Sequence, residues 1–276
     1  MDLLESKKAS MKIALVLTGH MRVYQPGWES FRKYFINPFG RETFDVFIHT
    51  WSDTGFYTGR GYLKPREDGF IRTEKGELGF WPTGEISQEA ITALYKPVKM
   101  VVDKYESYNH IFEKQKERYV NAYTRPKNTL SQFFKIMMGC DMMKQYAANV
   151  KGPIGSEYDF VIRTRPDLVL QAPLPEMRTG VFYANQGGNS RGKGIGDQLH
   201  ISSLEQMMTF SSLYAHVDAL YDQLGYSCPH AYSQLWLEMN KIPYERISTP
   251  MYIMHGPHGP YKEPDTGQER PYPEEK

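Results

Sequence analysis

Ile13-Ala14-Leu15-Val16-Leu17-Thr18-Gly19-His20-Met21-Arg22 is a short unbroken apolar run that closes in a polar turn containing glycine. A run apolar on both faces suits a strand covered on both sides, as in an α/β sheet. Beyond it, the spacing from Trp28 to Phe35 is helical, and Asn37-Pro38 reads as the stop. A second strand is read at Phe44-Asp45-Val46-Phe47-Ile48-His49, running into Thr50-Trp51-Ser52-Asp53. Ser87 reads as the N-cap of a helix through Leu94 that Lys96-Pro97 ends, and Met100-Val101-Val102 as a third strand. A longer helix is expected from about Ser131 to Ala147, with Phe133, Phe134, Met137, Met138, Met142 and Tyr146 near one face and Cys140 in the core.

Tyr158-Asp159-Phe160-Val161-Ile162-Arg163-Thr164-Arg165-Pro166-Asp167-Leu168-Val169-Leu170 contains two apolar runs with a polar, proline-containing break. A central strand does not tolerate proline in mid-ladder, so the chain is expected to leave the sheet there and expose Arg165 and Asp167 at its edge. Val181-Phe182-Tyr183 reads as another strand. Five glycines between Gln186 and Gly196 then lead into Asp197-Gln198-Leu199-His200-Ile201, and two helices fit Ser203 to Tyr214 and Pro229 to Met239. Residues 54–84 read as a long irregular insertion, and 1–10 and 256–276 as an extension and a tail around a domain spanning 11–255. The alternation of strands and helices predicts a single Rossmann-like α/β domain, with a mostly parallel central sheet flanked by helices. Ligands in such sheets sit beyond the carboxyl ends of the strands, so Thr18–Arg22, Thr50–Asp53 and Arg163–Asp167 are expected to converge on one crevice.

Composition narrows the function classes. Across 276 residues the formal net charge is +1, which leaves no polyanion footprint and so no expectation of nucleic acid. No apolar run approaches the roughly 20 residues needed to span a bilayer. Two cysteines, Cys140 and Cys228, exclude a disulfide scaffold and a four-cysteine zinc site, and suit a cytoplasmic protein. There is no G-x-G-x-x-G, no Walker loop, no G-x-S-x-G and no H-E-x-x-H.

The strand ends carry the chemistry. Gly19 lets a ligand approach the backbone, a following helix start favours an anion, and Arg22 is suited to hold a phosphate, or else is a surface residue on an ordinary turn. Asp53 suits a ribose or base, or caps a turn. Arg163 and Arg165 suit a diphosphate, and Asp167 a divalent cation or a sugar hydroxyl; the plainer reading is an Arg–Asp pair that stiffens a turn. Asp197, after the glycine-rich stretch, suits a substrate clamp or a base, or simply starts a strand. His255 and His258 are either metal or phosphate ligands or part of a surface turn.

Several of these segments together resemble a known group. Leu17-Thr18-Gly19-His20-Met21-Arg22, Phe44 through Trp51, Ser131-Gln132-Phe133-Phe134-Lys135-Ile136, Tyr158 through Leu168, and Gly196-Asp197-Gln198 followed by a strand are similar, in that order, to small bacterial and large-virus glycosyltransferases of the WavE type, which build lipopolysaccharide and polysaccharide. The resemblance covers roughly 11–255 and implies a GT-A architecture. It also implies a nucleotide-sugar donor, a glycan acceptor, and a donor site drawn from Thr18, Gly19, His20, Arg22, Asp53, Arg163, Arg165 and Asp167. In that fold a D-x-D motif binds a metal (Mn or Mg) and the diphosphate. The aligned triplet here is Arg165-Pro166-Asp167, with arginine for the first acid. Either a cation binds through Asp167 with His255, or Arg163 and Arg165 replace its charge. Asp197 is the base expected if the transfer inverts configuration. The alternatives are a non-catalytic glycan- or nucleotide-binding domain, and a nucleotidyl- or phosphotransferase on a similar sheet.

Overall fold

Alternation along the first strand decides which side of the sheet each helix takes. The computed structural model describes residues 11–53, 70–73, 76–80, 85–119, 126–151, 158–186 and 194–253. In it β1 (Ile13–Gly19) is buried almost throughout. Ile13, Leu15 and Leu17 join one apolar cluster and Ala14 and Val16 the other, as the period of two requires of a strand covered on both faces. Helix α1 (Tyr24–Phe31) follows, then a π turn (Arg32–Ile36) and a last turn that ends at Gly40 with φ +88°. The helical path therefore starts before Trp28 and passes through Asn37-Pro38 rather than stopping there. A proline ring in a regular helix meets the carbonyl four residues back, and here the residue four back from Pro38, Tyr34, lies within the widened π turn.

β2 (Phe44–Trp51) comes next, then a hairpin of β3 (Phe70–Thr73) and β4 (Gly76–Phe80) inside the stretch read as irregular. Ser87 caps α2 (Gln88–Tyr95) as expected, its Oγ accepting from Ala90 N at 3.2 Å, and β5 (Lys99–Asp103) follows. α3 (Tyr105–Lys116) was not among the expected elements, although Tyr105, Tyr108 and Phe112 mark its packed face. α4 (Pro126–Lys151) begins earlier than Ser131. β6 (Phe160–Thr164) and β7 (Leu168–Leu170) flank the Pro166 break, and β8 (Phe182–Asn185) and β9 (Leu199–Ser202) follow. The last described elements are α5 (Leu204–Ser211), α6 (Val217–Leu224), α7 (Pro229–Met239), β10 (Tyr244–Ile247) and β11 (Met251–Ile253).

The seven-stranded sheet has the order β5-β2-β1-β6-β9-β8-β10. β9 alone runs against the others, so the expected mostly parallel sheet flanked by helices is what forms. β7 leaves it, as Pro166 predicts, and pairs with β11 in a separate ribbon. α1, α2 and that ribbon cover one face; α3 to α7 cover the other. From β1 the chain steps outward to β2 and β5, then returns to the opposite side of β1 as β6. The order reverses between β1 and β6, and the carboxyl ends of strands at such a switch point are where open sheets of this kind place a ligand. Among the described residues no helix is long and apolar enough to cross a membrane. The expectations for residues 1–10, most of the insertion, the glycines of 187–193, His255, His258 and the tail lie outside the described residues.

Candidate functional site

Register brings the predicted strand ends together. Gly19 lies opposite Thr50 and Leu17 opposite Thr164, so the polar tails of β1, β2 and β6 emerge at the same edge. β9 reaches that edge from the other direction. Because it is antiparallel to β6, with Thr164 opposite Leu199, its amino end delivers Asp197 to the carboxyl ends of its neighbours.

Arg165 and Asp167 form a planar two-bond fork: Nε donates to Oδ1 at 2.8 Å and a terminal nitrogen to Oδ2 at 2.7 Å. Arg22, from the end of β1, places a guanidinium nitrogen 3.6 Å from the same Oδ2. The Asp167 side chain is 1 % exposed, so it is not displayed at the sheet edge as the proline break suggested, while Arg165 is 22 % and Arg22 12 % exposed. The reason is electrostatic: a carboxylate enters a protein interior when charged donors replace its water. The turn is pressed against α1 at Gly27, where a β-carbon would stand 2.2 Å from Pro166 O.

Arg163 points elsewhere. It is 1 % exposed; its Nε donates to Thr18 Oγ1 at 2.8 Å and a terminal nitrogen to Asp197 O at 2.5 Å. Burial pulls its pKa down to about 10, with Asp197 opposing. Arg163 thus lies beneath the crevice and ties the end of β1 to the Asp197 loop.

Asp197 is buried, and that alone would raise its pKa. The net shift is downward because of His230, a hydrogen bond from Gln132, Arg165 and Arg163. Gln132 Nε2 donates to Asp197 Oδ2 at 3.0 Å and to its carbonyl at 3.1 Å. His230, at the start of α7, donates from Nδ1 to Ile195 O at 2.9 Å and holds that nitrogen 3.9 Å from Asp197 Oδ1. Asn185 Oδ1 accepts from the backbone of Gln198 and Leu199 at 3.1 and 3.0 Å. Gly196 is required here, since a β-carbon would lie 2.2 Å from the Asn185 amide. The result is an ionised carboxylate held at a defined place at the carboxyl edge of the sheet.

The other arm of the edge lies over β1, β2 and β5. Gly19 adopts φ +106°, and Thr50 Oγ1 donates to its carbonyl at 2.7 Å. Thr18 is fully buried and serves Arg163. His20 Nδ1 is 3.2 Å from Asp53 Oδ1; burial lowers its pKa against the pull of Asp53. Beneath them Lys135 Nζ donates to Asp103 Oδ2 at 2.7 Å, Thr50 O at 2.9 Å and His49 Nδ1 at 3.1 Å, and sits 3.7 Å from the centre of the Trp51 ring.

The predicted residues Thr18, Gly19, His20, Arg22, Asp53, Arg163, Arg165, Asp167 and Asp197 all lie along this one edge. Gln132, Asn185 and His230 also shape the Asp197 wall. Gln132 sits in the quoted Ser131–Ile136 segment, but nothing local to Asn185 or His230 reveals that role. Cys140 is core, its thiol pushed up to about 12 by burial.

A GT-A architecture would bring a divalent cation to this edge. Among the described residues no group of three or more His, Cys, Asp or Glu is arranged to hold a metal ion. Both oxygens of Asp167 are engaged by the Arg165 fork, with Arg22 beside them. In this arrangement Asp167 does not fit the role of a cation ligand. Compared with known proteins, the chain matches no family model and no curated sequence.

Proposed function

We propose that the protein is a glycosyltransferase of GT-A type that moves a sugar from a nucleotide-sugar donor to a hydroxyl of a growing glycan. The observation that carries this reading is the meeting of Arg22, Arg165 and Asp197 at the β1/β6 switch point, where an open sheet binds its ligand. Sugar transfer from such a donor needs positive charge where the diphosphate departs and a carboxylate near the acceptor hydroxyl.

On this reading the nucleoside lies toward the His20–Asp53 arm and the diphosphate toward Arg22 and Arg165. Asp197 takes the acceptor's hydroxyl proton. The acceptor oxygen forms the new bond to the anomeric carbon as the bond from that carbon to the diphosphate oxygen breaks, and the electron pair leaves on the nucleoside diphosphate. The contacts that keep Asp197 ionised also make it a weak base, so the good leaving group supplies most of the drive.

The test is a panel of nucleotide sugars and nucleoside diphosphates followed by melting temperature and by donor hydrolysis. One nucleoside diphosphate should raise the melting temperature, and its sugar conjugate should be cleaved slowly without acceptor. Binding with neither hydrolysis nor transfer to any glycan would favour the binding-domain alternative. No shift with any nucleotide would remove both.

A further inference from the structure

We propose that the counter-charge for the donor's diphosphate is a guanidinium pair, Arg22 and Arg165, oriented by the buried carboxylate of Asp167, and that the donor site works without a divalent cation. The inference rests on the nucleotide-sugar reading above and deepens it.

Three observations carry it. Asp167 is committed: Arg165 spans both its oxygens at 2.8 and 2.7 Å, and Arg22 stands 3.6 Å from one of them. A cation at those oxygens would have to displace a two-bond charged fork and would sit beside two like charges, in a place with little water to screen them. Next, two guanidiniums from separate chain segments converge on one buried carboxylate, and both arginine side chains are partly exposed while the acid is not. Arginine's planar fork matches phosphate oxygens in a way a point charge does not. Finally, α1 starts at Tyr24, two residues beyond Arg22, and Val23 at its N-cap supplies no side-chain hydrogen bond. Its positive dipole end therefore adds to the same region.

Asp167 is on this view a positioning residue. It holds Arg165 in one rotamer and draws Arg22 toward it, so that two chain segments from opposite sides of the switch point present their charge together. Arg163 takes no part, because its donors are used inward.

The experiment is calorimetric titration of the full chain with UDP, GDP and ADP, and with the matching nucleosides, each in excess EDTA and again in excess Mn²⁺ or Mg²⁺. One diphosphate is expected to bind with the same Kd, within about twofold, in all three conditions. Arg22→Gln and Arg165→Gln should each weaken it at least about tenfold while moving the nucleoside's Kd less than about twofold. Binding seen only with a metal ion overturns the arginine pair and leaves the transferase reading standing. Metal-independent binding that both variants retain, or equal losses for nucleoside and diphosphate, also overturns it. No binding of any diphosphate in any condition overturns this proposal and the reading beneath it together. The comparison of EDTA with metal needs no variant, so a substitution that fails to fold does not protect the idea.

Discussion

The two ends of the sheet's carboxyl edge each set a cation against a carboxylate, to different effect. Over β2 and β5, Lys135 is fully buried, bonded to Asp103, Thr50 and His49 and capped by Trp51; one ammonium serves one acid, and the cation itself is out of reach of solvent. At the β1/β6 switch point, Arg22 and Arg165 share the single acid Asp167 and remain partly exposed. A buried ion pair by itself marks structure. Cations that still reach solvent are the ones the proposal above gives to a ligand. The comparison separates Arg163 as well: it lies within the switch-point cluster yet behaves like Lys135, with its donors directed inward.

The sharpest test of that division is Asp197→Asn. It preserves shape, and on the transferase reading it removes the proposed base, so transfer should fall by about 10²–10⁴-fold in steady-state assays, with nucleoside diphosphate affinity nearly unchanged. Lost affinity at undiminished saturated turnover would end the base assignment.

Arg163→Leu should act on the fold. It removes the donor to Thr18 Oγ1 and one of the two donors to Asp197 O, and urea unfolding should show a loss of about 2–4 kcal/mol. Its effect on diphosphate binding should be smaller than that of Arg165→Gln; the reverse order would place Arg163 in the crevice.

Acid should weaken both ends alike. Burial lowers His49 to about 4, helped by Lys135, and His200 to about 3, helped by Arg163. Between the ordinary value of 6.5 and those values the unfolded chain takes up protons that the folded chain refuses. Stability therefore drops as pH falls through that window, by at most about 2.7 kcal/mol per pH unit for the two together. His200→Phe should remove one half of the slope, read from urea midpoints across pH.

The smallest effect is expected at the sealed end in alkali. Burial lowers the Lys135 ammonium from 10.5 to about 8 against the pull of Asp103. Between those values the unfolded chain binds the extra proton, so stability rises with pH, by at most about 1.4 kcal/mol per unit. Lys135→Met should abolish that rise; an unchanged profile would show that Lys135 stays charged throughout.

Much of this was legible locally. An apolar run closed by glycine, proline or a polar stretch states where a strand ends, so the tips of β1, β2 and β6 and the departure of β7 at Pro166 could be read from neighbours in the chain. Helix ends were less legible, because the π turn before Pro38 depends on how the helix packs and not on the residues that seem to stop it. Tyr105, Tyr108 and Phe112 carried a helical stripe, but so aromatic a segment reads equally well as loop.

What the chain order determined, then, was a set of strands with polar tips and the kinds of side chain those tips carry. Tertiary structure decided which of them meet. Asp167 is buried because Arg22 arrives from the far side of the switch point, Asp197 reaches the crevice because β9 runs backward, and Gln132 and His230 hold it from helices distant in sequence. Local patterns record how a segment satisfies its own backbone. A charge finds its partner only when separate segments pack together, and no periodicity within either one encodes that meeting.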